Sequence, residues 1–201
     1  TAAGGLVGEV VQVWKPKQLN TFETEWGFSC MGYEISGALG IKMAKPDQDV
    51  VVFVGDGSYL LNNTDIYSSV IYDQKLIIIV CDNGGHMVIN RLQLAKGGKE
   101  YICNLRAARA TNLKFVDFEN HAKSMGANAE TVSSTSELEA AYKRAKDSDK
   151  TYVITIKTHG YEWLEGTAFW ESPTLQDPIS DNNKSALEDF ESGKSKQRKG
   201  V

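Results

Sequence analysis

Two short runs of aliphatic residues dominate the hydrophobic pattern of the chain, Val50–Val54 and Leu76–Cys81. Neither run alternates with polar residues, so each predicts a strand that is covered on both faces, as in a parallel sheet. Between them the sequence indicates a helix that starts at Asn63 or Thr64. The inward face of that helix would consist of Ile66, Val70 and Ile71. The pattern therefore predicts a β-α-β unit, and its crossover should be right-handed.

Further elements follow from the same reasoning. Residues 30–45 carry small and apolar residues at helical spacing, and Pro46 ends that helix. The remaining predictions are a short helix from an Asp117 cap to Met125, a strand at Ala129–Val132, a helix at Ser136–Lys146 with a capping box between Ser136 and Glu139, and a last strand at Thr151–Lys157. Strands and helices that alternate in this way predict an α/β fold with three layers and a doubly wound, mostly parallel sheet.

Three segments have no clear period. Residues 84–116 predict a long connection with six basic residues against one acid, Glu100. Such a loop either closes over a substrate or is a solvated basic surface. Residues 171–201 are polar and predict an arm that follows a domain of residues 1–170. The opening TAAGG is typical of the end of a strand, so we expect the chain to be part of a longer polypeptide.

Composition narrows the class of protein. A chain of 201 residues with 41% hydrophobic residues can bury the core of one α/β domain. The net charge of −4 argues against a nucleic-acid surface. No apolar run approaches the ~20 residues that span a bilayer, so we expect no membrane role. The three cysteines lack CxxC spacing, which favours reduced thiols and a cytoplasmic protein.

Candidate chemistry lies where the two predicted strands end, in GDGS at residues 55–58 and DNGG at residues 82–85. Parallel strands end at the same edge of a sheet, so Asp56 and Asn83 should lie side by side. Asp56 offers a carboxylate oxygen, Asn83 an amide oxygen and Gly85 an unhindered carbonyl, which are ligands that Mg²⁺ accepts. Gly57 permits a tight turn into a helix whose free N–H groups face an anion. The two segments therefore predict a site for a metal-bridged diphosphate.

GDG on its own does not identify this kind of site. The tripeptide occurs in ordinary turns. It is no dinucleotide fingerprint, because Leu60 stands where the third glycine belongs. The sequence also contains no GxxxxGK[ST] phosphate-binding loop. The spacing between GDGS and DNGG is what favours the diphosphate site.

GDGS followed after a strand, a helix and a strand by DNGG resembles the motif of thiamine-diphosphate enzymes. The resemblance implies that Asp56, Asn83 and the Gly85 carbonyl hold magnesium, while Gly57 and Ser58 contact the diphosphate. Asp82 replaces the first asparagine of the family motif.

An independent segment, SCMGYEISGALG at residues 29–40, is similar to GTMGFGLPAAIG of acetolactate-synthase-like enzymes. This similarity implies that Met31 supports the bent cofactor between its rings and that the Ser29 carbonyl accepts from the aminopyrimidine. The alternative is that Met31 only fills the core.

Within that family, the run from EWGFSCMGYEI to VGDGSYL, together with NLKFVDFENHAKSMGA and GYEWLEGTAFWE, resembles the trihydroxycyclohexanedione hydrolases of myo-inositol catabolism. The resemblance implies opening of a cyclic 1,2-dione to 5-deoxyglucuronate. Two alternatives stay open: a decarboxylase or carboligase that acts on a 2-oxo acid, and a half-subunit that binds cofactor without catalysis.

The resemblance also implies a partner. In this family the glutamate that activates the cofactor belongs to a pyrimidine-binding domain of the same or a neighbouring subunit, usually in a homodimer or homotetramer. We therefore expect no catalytic residue in this chain, and an apolar face around Met31 that is left open for that domain.

Overall fold

The computed structural model describes residues 1–25, 27–164 and 174–196. The helices in this part of the chain are α1 (Gly4–Val13), α2 (Tyr33–Ala44), α3 (Asp56–Leu61), α4 (Thr64–Ile71), α5 (Met87–Ala95), α6 (Phe118–Ser124), α7 (Thr135–Asp147) and α8 (Asp181–Ser195). The strands are β1 (Val51–Gly55), β2 (Ile77–Asp82), β3 (Asn128–Val132) and β4 (Tyr152–Lys157).

The four strands form one parallel sheet in the order β1-β2-β4-β3. Gly55 at the end of β1 pairs with Cys81 near the end of β2, and Asp82 pairs with Lys157 at the end of β4. The predicted strands and their parallel arrangement are confirmed. Because all strands run the same way, residues that follow β1, β2 and β4 meet at one edge of the sheet.

Helices cover both faces of the sheet. On one face Val52, Val54 and Ile78 pack with α2, α4 and α6 in the larger core. On the other face Ile77 and Ile154 pack with α7 in a second core. The chain therefore has the predicted three-layer, doubly wound α/β architecture. No helix within the described ranges is long and apolar enough to cross a bilayer.

Two predictions about irregular segments were wrong. Helix α1 takes the place of a strand end, because Val7 and Val10 lie on one face of a helix and are buried there. Helix α5 occupies part of the predicted connection at residues 84–116, and it buries Met87 and Asn90 one turn apart. A 3₁₀ turn at Leu105–Ala107 lies in the same segment.

Helix α8 forms in the predicted polar arm. Its cap is Ser180, whose hydroxyl accepts from the amide of Asn183 at 3.2 Å. The predicted boundary at residue 170 and most of the GYEWLEGTAFWE segment lie outside the described residues.

The helix caps test the sequence pattern in detail. Asp117 caps α6 as predicted, because its carboxylate accepts from the Asn120 amide at 3.0 Å. Helix α7 is capped by Ser134 instead of Ser136, since the Ser134 hydroxyl accepts from the Glu137 amide at 3.2 Å. Both Ser134 and Ser136 precede a glutamate by three positions, so the pattern alone does not distinguish them.

Candidate functional site

The ends of β1 and β2 are joined by the carboxylate of Asp56. Its Oδ2 accepts hydrogen bonds from the backbone amides of Gly84 at 3.1 Å and Gly85 at 2.7 Å. Asp56 is buried, with 4% of its surface exposed. The structure thus brings GDGS and DNGG together at one edge of the sheet, as the sequence predicted.

The surroundings of Asp56 disfavour the ionised form of its carboxyl group. Burial, and then the neighbouring negative charge of Asp82, raise the pKa of the Asp56 carboxyl, although amides of Gly85, Gly57 and Gly84 act in the opposite direction. A cation beside this carboxylate would stabilise its ionised form. The site therefore has the electrostatics of a cation-binding position.

Asp82, the departure from the family motif, has a partner of its own. Its carboxylate forms an ion pair with Lys157 at the end of β4, and it also accepts from the Gly84 amide at 3.1 Å. Asp82 is 4% exposed. Because Lys157 balances this charge, Asp82 serves to link β2 to β4 and to hold the turn at Gly84.

Asn83 has an oxygen available for a ligand. Its side-chain Oδ1 is buried and has no hydrogen-bond partner among the described residues. Its backbone carbonyl, in contrast, accepts from Nη1 of Arg106 at 3.1 Å. A buried amide oxygen without a hydrogen-bond partner destabilises the fold unless a bound ligand interacts with it. Asn83 therefore fits the role of a metal ligand. In the described part of the chain no three His, Cys, Asp or Glu side chains form a metal site, so a cation here would depend on amide and carbonyl oxygens as well.

Two glycines leave space that a side chain would close. A Cβ on Gly85 would lie 2.3 Å from the Cys103 carbonyl oxygen, and the φ of Gly85 is 141°. A Cβ on Gly57 would lie 2.7 Å from the imidazole of His86 and 3.4 Å from Cε of Met31. Gly57 is followed in the first turn of α3 by the buried Ser58. Met31 and the two strand tips therefore line the same region.

Two carboxylates fix the loop that carries Met31. Glu25 accepts from the amides of Phe28 at 2.9 Å and Cys30 at 2.8 Å. The buried Glu34 accepts from the amide of Gly32 at 2.9 Å and from that of Ala3 at 3.3 Å.

The loop exposes the two residues that the sequence singled out. Ser29 is exposed and has a φ of 51°, in the left-handed region. Met31 is 38% exposed, which argues against a role as core filler alone.

A cleft of about 460 Å³ opens beside the strand ends. Asn83 and Gly55 form part of its wall, and Glu9, Arg91 and Trp163 contribute polar and aromatic surface. The Arg91 guanidinium lies 4.0 Å above the Trp163 ring. Burial raises the pKa of the Glu9 carboxyl, while the positive charge of Arg91 lowers it. The cleft reaches the candidate metal ligand Asn83 and can admit a polar small molecule.

Sequence reasoning missed several residues that shape the site. Glu34 and Lys157 act through long-range partners, and Arg106 acts through a backbone carbonyl. No local pattern identifies such contacts. His86 could have been found, because it follows DNGG directly and immediately precedes α5.

Comparison with known proteins identifies the family to which the chain belongs. The model of the family described as "Thiamine pyrophosphate enzyme, C-terminal TPP binding domain" matches residues 2–156. This chain is 39% identical over 167 residues to 3D-(3,5/4)-trihydroxycyclohexane-1,2-dione hydrolase of Halalkalibacterium halodurans. The alignment covers 80% of this chain and 26% of that protein. The protein of the same name from Lacticaseibacillus casei is 36% identical over 96% of this chain, and 30% of it is covered. The chain thus spans between a quarter and a third of the length of these relatives.

Solved structures support the fold. A thiamine diphosphate-dependent 4-hydroxybenzoylformate decarboxylase of Rhodococcus jostii RHA1 matches 78% of this chain with a TM-score of 0.55 at 19% identity, over 32% of its own length. A protein of Mycobacterium smegmatis described as thiamin diphosphate-dependent matches 79% with a TM-score of 0.60 at 22% identity, over 28% of its length. At these identities the likeness concerns the fold alone.

The fold, the joined strand tips and the family match agree with one another. The resemblance inferred from GDGS, DNGG and the Met31 segment is confirmed by the match over residues 2–156 and by the named relatives. The chain belongs to the thiamine pyrophosphate enzymes and carries their C-terminal TPP-binding domain.

Proposed function

We propose that this chain binds thiamine diphosphate and Mg²⁺ at the ends of β1 and β2. Asp56, Asn83 and the Gly85 carbonyl would hold the metal, and Gly57 and Ser58 would contact the diphosphate. Met31 and the Ser29 carbonyl would contact the organic part of the cofactor. The observation that carries the proposal is the buried Asp56 carboxylate, which joins both strand tips near Oδ1 of Asn83, an oxygen without a hydrogen-bond partner in the described part of the chain.

The reaction we propose is hydrolysis of a carbon–carbon bond in a cyclic 1,2-dione. The relatives named above are trihydroxycyclohexane-1,2-dione hydrolases, and this supports the substrate class. Thiamine diphosphate, when bound, supplies a nucleophilic carbon for one carbonyl of the dione. In the net reaction water is added across the ring bond, so that one carbon becomes a carboxylic acid and the other gains hydrogen. The product would be 5-deoxyglucuronate, and the proposal includes a role in myo-inositol catabolism in the cytoplasm.

The cleft beside Asn83 is the proposed entry for the dione. Arg91 offers fixed N–H donors for hydroxyl or carbonyl oxygens, and stacking on Trp163 holds its guanidinium in place. Helix α5 presents Arg91 from the segment that the sequence suggested for substrate contact.

We propose that the activating glutamate comes from a pyrimidine-binding domain of the same or a neighbouring subunit, in a homodimer or homotetramer. Met31 is 38% exposed and Phe28 is 91% exposed, so this side of the loop offers an apolar surface. Glu25 and Glu34, the acids that flank Met31, are occupied by backbone amides of the loop. A glutamate from elsewhere would complete the site.

The experiment is a product analysis with the assembled protein that contains this chain, supplied with Mg²⁺ and thiamine diphosphate. The substrates are trihydroxycyclohexane-1,2-dione and, separately, 2-oxo acids. We expect 5-deoxyglucuronate from the dione and no carbon dioxide from the 2-oxo acids. Decarboxylation or carboligation of a 2-oxo acid would contradict the proposal in favour of an acetolactate-synthase-like enzyme. Cofactor binding without turnover would identify a non-catalytic half-subunit.

A further inference from the structure

A single carboxylate oxygen joins three segments near the candidate metal site. Oε1 of Glu100 accepts from Nδ2 of Asn90 at 2.9 Å, from Nδ2 of Asn104 at 3.1 Å and from the Tyr161 hydroxyl at 2.6 Å. Asn90 belongs to α5, Asn104 precedes the 3₁₀ turn, and Tyr161 follows β4. Asn90 and Asn104 lie 10 and 4 positions from Glu100, whereas Tyr161 lies 61 positions away, so the carboxylate ties the segment after β4 to the segment that contains α5 and the 3₁₀ turn.

Asn104 is the centre of this cluster. It is 1% exposed, and its Nδ2 also donates to the Tyr161 hydroxyl at 2.7 Å. Its Oδ1 accepts from the backbone amide of Arg106 at 3.1 Å. Both ends of the amide are therefore used, which fixes the orientation of the side chain and the backbone on either side of it.

The backbone around Asn104 lies directly against the candidate metal loop. Gly85 and Asn104 form an antiparallel bridge, and the Leu105 amide donates to the Gly84 carbonyl at 3.0 Å. Arg106 donates from Nη1 to the Asn83 carbonyl at 3.1 Å. Three consecutive residues of the loop are thus contacted by three consecutive residues of the strap formed by residues 103–106. Motion of the strap would displace the Asn83 and Gly85 oxygens together.

We propose that Glu100, through Asn104 and Tyr161, is a positioning residue that holds the oxygens of Asn83 and Gly85 in place for Mg²⁺. Glu100 does not touch the proposed cofactor and acts through the strap. The inference rests on the proposed function, because it requires that Asn83 and Gly85 bind the metal. Partners of this outer kind alter metal affinity because they set the orientation of the ligands.

The test measures Mg²⁺ affinity apart from turnover. Binding of thiamine diphosphate to the assembled protein is followed by calorimetry at increasing Mg²⁺, and the Mg²⁺ half-saturation is compared among variants. We expect Glu100→Ala to raise it by about tenfold or more. Glu100→Gln should raise it by no more than about threefold, because a neutral amide oxygen still accepts although charge-assisted bonds are lost. Tyr161→Phe removes one donor only and should fall between the two.

A control separates positioning from general loss of stability. Ser69→Ala removes the buried hydrogen bond between the Ser69 and Thr151 hydroxyls, 2.7 Å long, at the opposite end of the sheet. It should lower the melting temperature without changing the Mg²⁺ half-saturation. An unchanged half-saturation in Glu100→Ala and Tyr161→Phe would overturn the inference, as would a shift that Ser69→Ala reproduces. If Asp56→Ala also leaves Mg²⁺ dependence intact, the proposed metal site itself fails.

Discussion

Asp56 Oδ2 accepts a hydrogen bond from the Gly85 amide at 2.7 Å, across 29 positions of sequence. This bond joins the two strand tips in addition to the pairing of Gly55 with Cys81. Its acceptor is also a carboxylate whose pKa is raised by burial and by the neighbouring charge of Asp82. The Asp56 carboxylate therefore holds the two strand tips together, although its ionised form is disfavoured at this position.

The first prediction separates these two roles of Asp56. Asp56→Asn retains an oxygen for the Gly84 and Gly85 amides but removes a buried charge beside Asp82. Because the folded state raises the Asp56 pKa, ionisation destabilises the native state at pH values above the ordinary value of 3.8, and the loss persists at neutral pH. Without Mg²⁺ the variant should melt about 2–4 °C higher at pH 7, the shift that ~1 kcal/mol produces in a domain of this size.

The matched measurement is cofactor binding. Asp56→Asn and Asp56→Ala should both lose Mg²⁺-dependent binding of thiamine diphosphate in calorimetric titrations. Undiminished Mg²⁺-dependent affinity in Asp56→Ala would remove Asp56 from the metal site. A lower melting temperature in metal-free Asp56→Asn would contradict the electrostatic argument.

The second prediction concerns Met31, which lies over Gly57 near the candidate cofactor site. Met31→Ala should lower kcat by about tenfold or more while cofactor affinity changes little, because alignment of the rings is lost and the diphosphate contacts remain. Steady-state kinetics and calorimetry measure the two effects. Met43→Ala is the control, since Met43 is 59% exposed on α2, and its kcat should be normal. A normal kcat in Met31→Ala would return this residue to a packing role.

The third prediction concerns the backbone at Gly85. Gly85→Ala would place a Cβ 2.3 Å from a carbonyl oxygen at a φ of 141°, so the loop must move. We expect a loss of about 2–4 kcal/mol of unfolding free energy. Gly40→Ala is the matched control in the interior of α2, where a Cβ meets no atom within 4 Å, and it should add about 0.5–1 kcal/mol. Urea unfolding measures both, and equal effects would refute the close approach.

The fourth prediction is a pH dependence at a site remote from the metal. Arg144 donates to both oxygens of Glu130, at 2.9 and 2.6 Å, and these contacts lower the pKa of the Glu130 carboxyl. A depressed folded-state pKa contributes stability above the ordinary value of 4.5, and this contribution is lost as the pH falls through the folded value. Arg144→Ala should therefore melt lower than wild type at pH 7, by no more than about 3 °C because the Arg144 side chain is half-exposed. The difference should shrink as the pH falls through the folded-state pKa of Glu130, and a difference that does not change between neutral and acidic pH would exclude the ion pair as its cause.

The site was predictable from sequence where chemistry coincides with topology. Val50–Val54 and Leu76–Cys81 predict covered parallel strands, and parallel strands end at one edge. Asp56 and Asn83 had to approach each other once this was recognised. Gly57 was expected to permit a tight turn and Gly85 to present an unhindered carbonyl. The close approach of the His86 side chain to Gly57 and of the Cys103 carbonyl to Gly85 was not predicted.

The remaining structure depends on contacts that no local pattern carries. Helix α5 was missed because its buried face includes Asn90, a polar residue whose side chain donates to Glu100. In the sequence, Lys157 is only the last residue of a strand, and its ion pair with Asp82 becomes evident only from the structure. The choice of Ser134 over Ser136 as a cap depends on where β3 ends.

The position of β4 in the sheet has a consequence for how the chain folds. β4 follows the other strands in sequence yet lies between β2 and β3, so the sheet is not continuous until this strand has been inserted. The pairing of Val51 with Ile77 closes a short loop, whereas the pairing of Ile77 with Tyr152 closes one almost three times as long. Long loops cost more entropy to close, and non-local parallel pairing slows folding. We therefore expect β1 and β2 to associate early with Asp56 near Gly85, and insertion of β4 to limit the rate at which the complete domain appears.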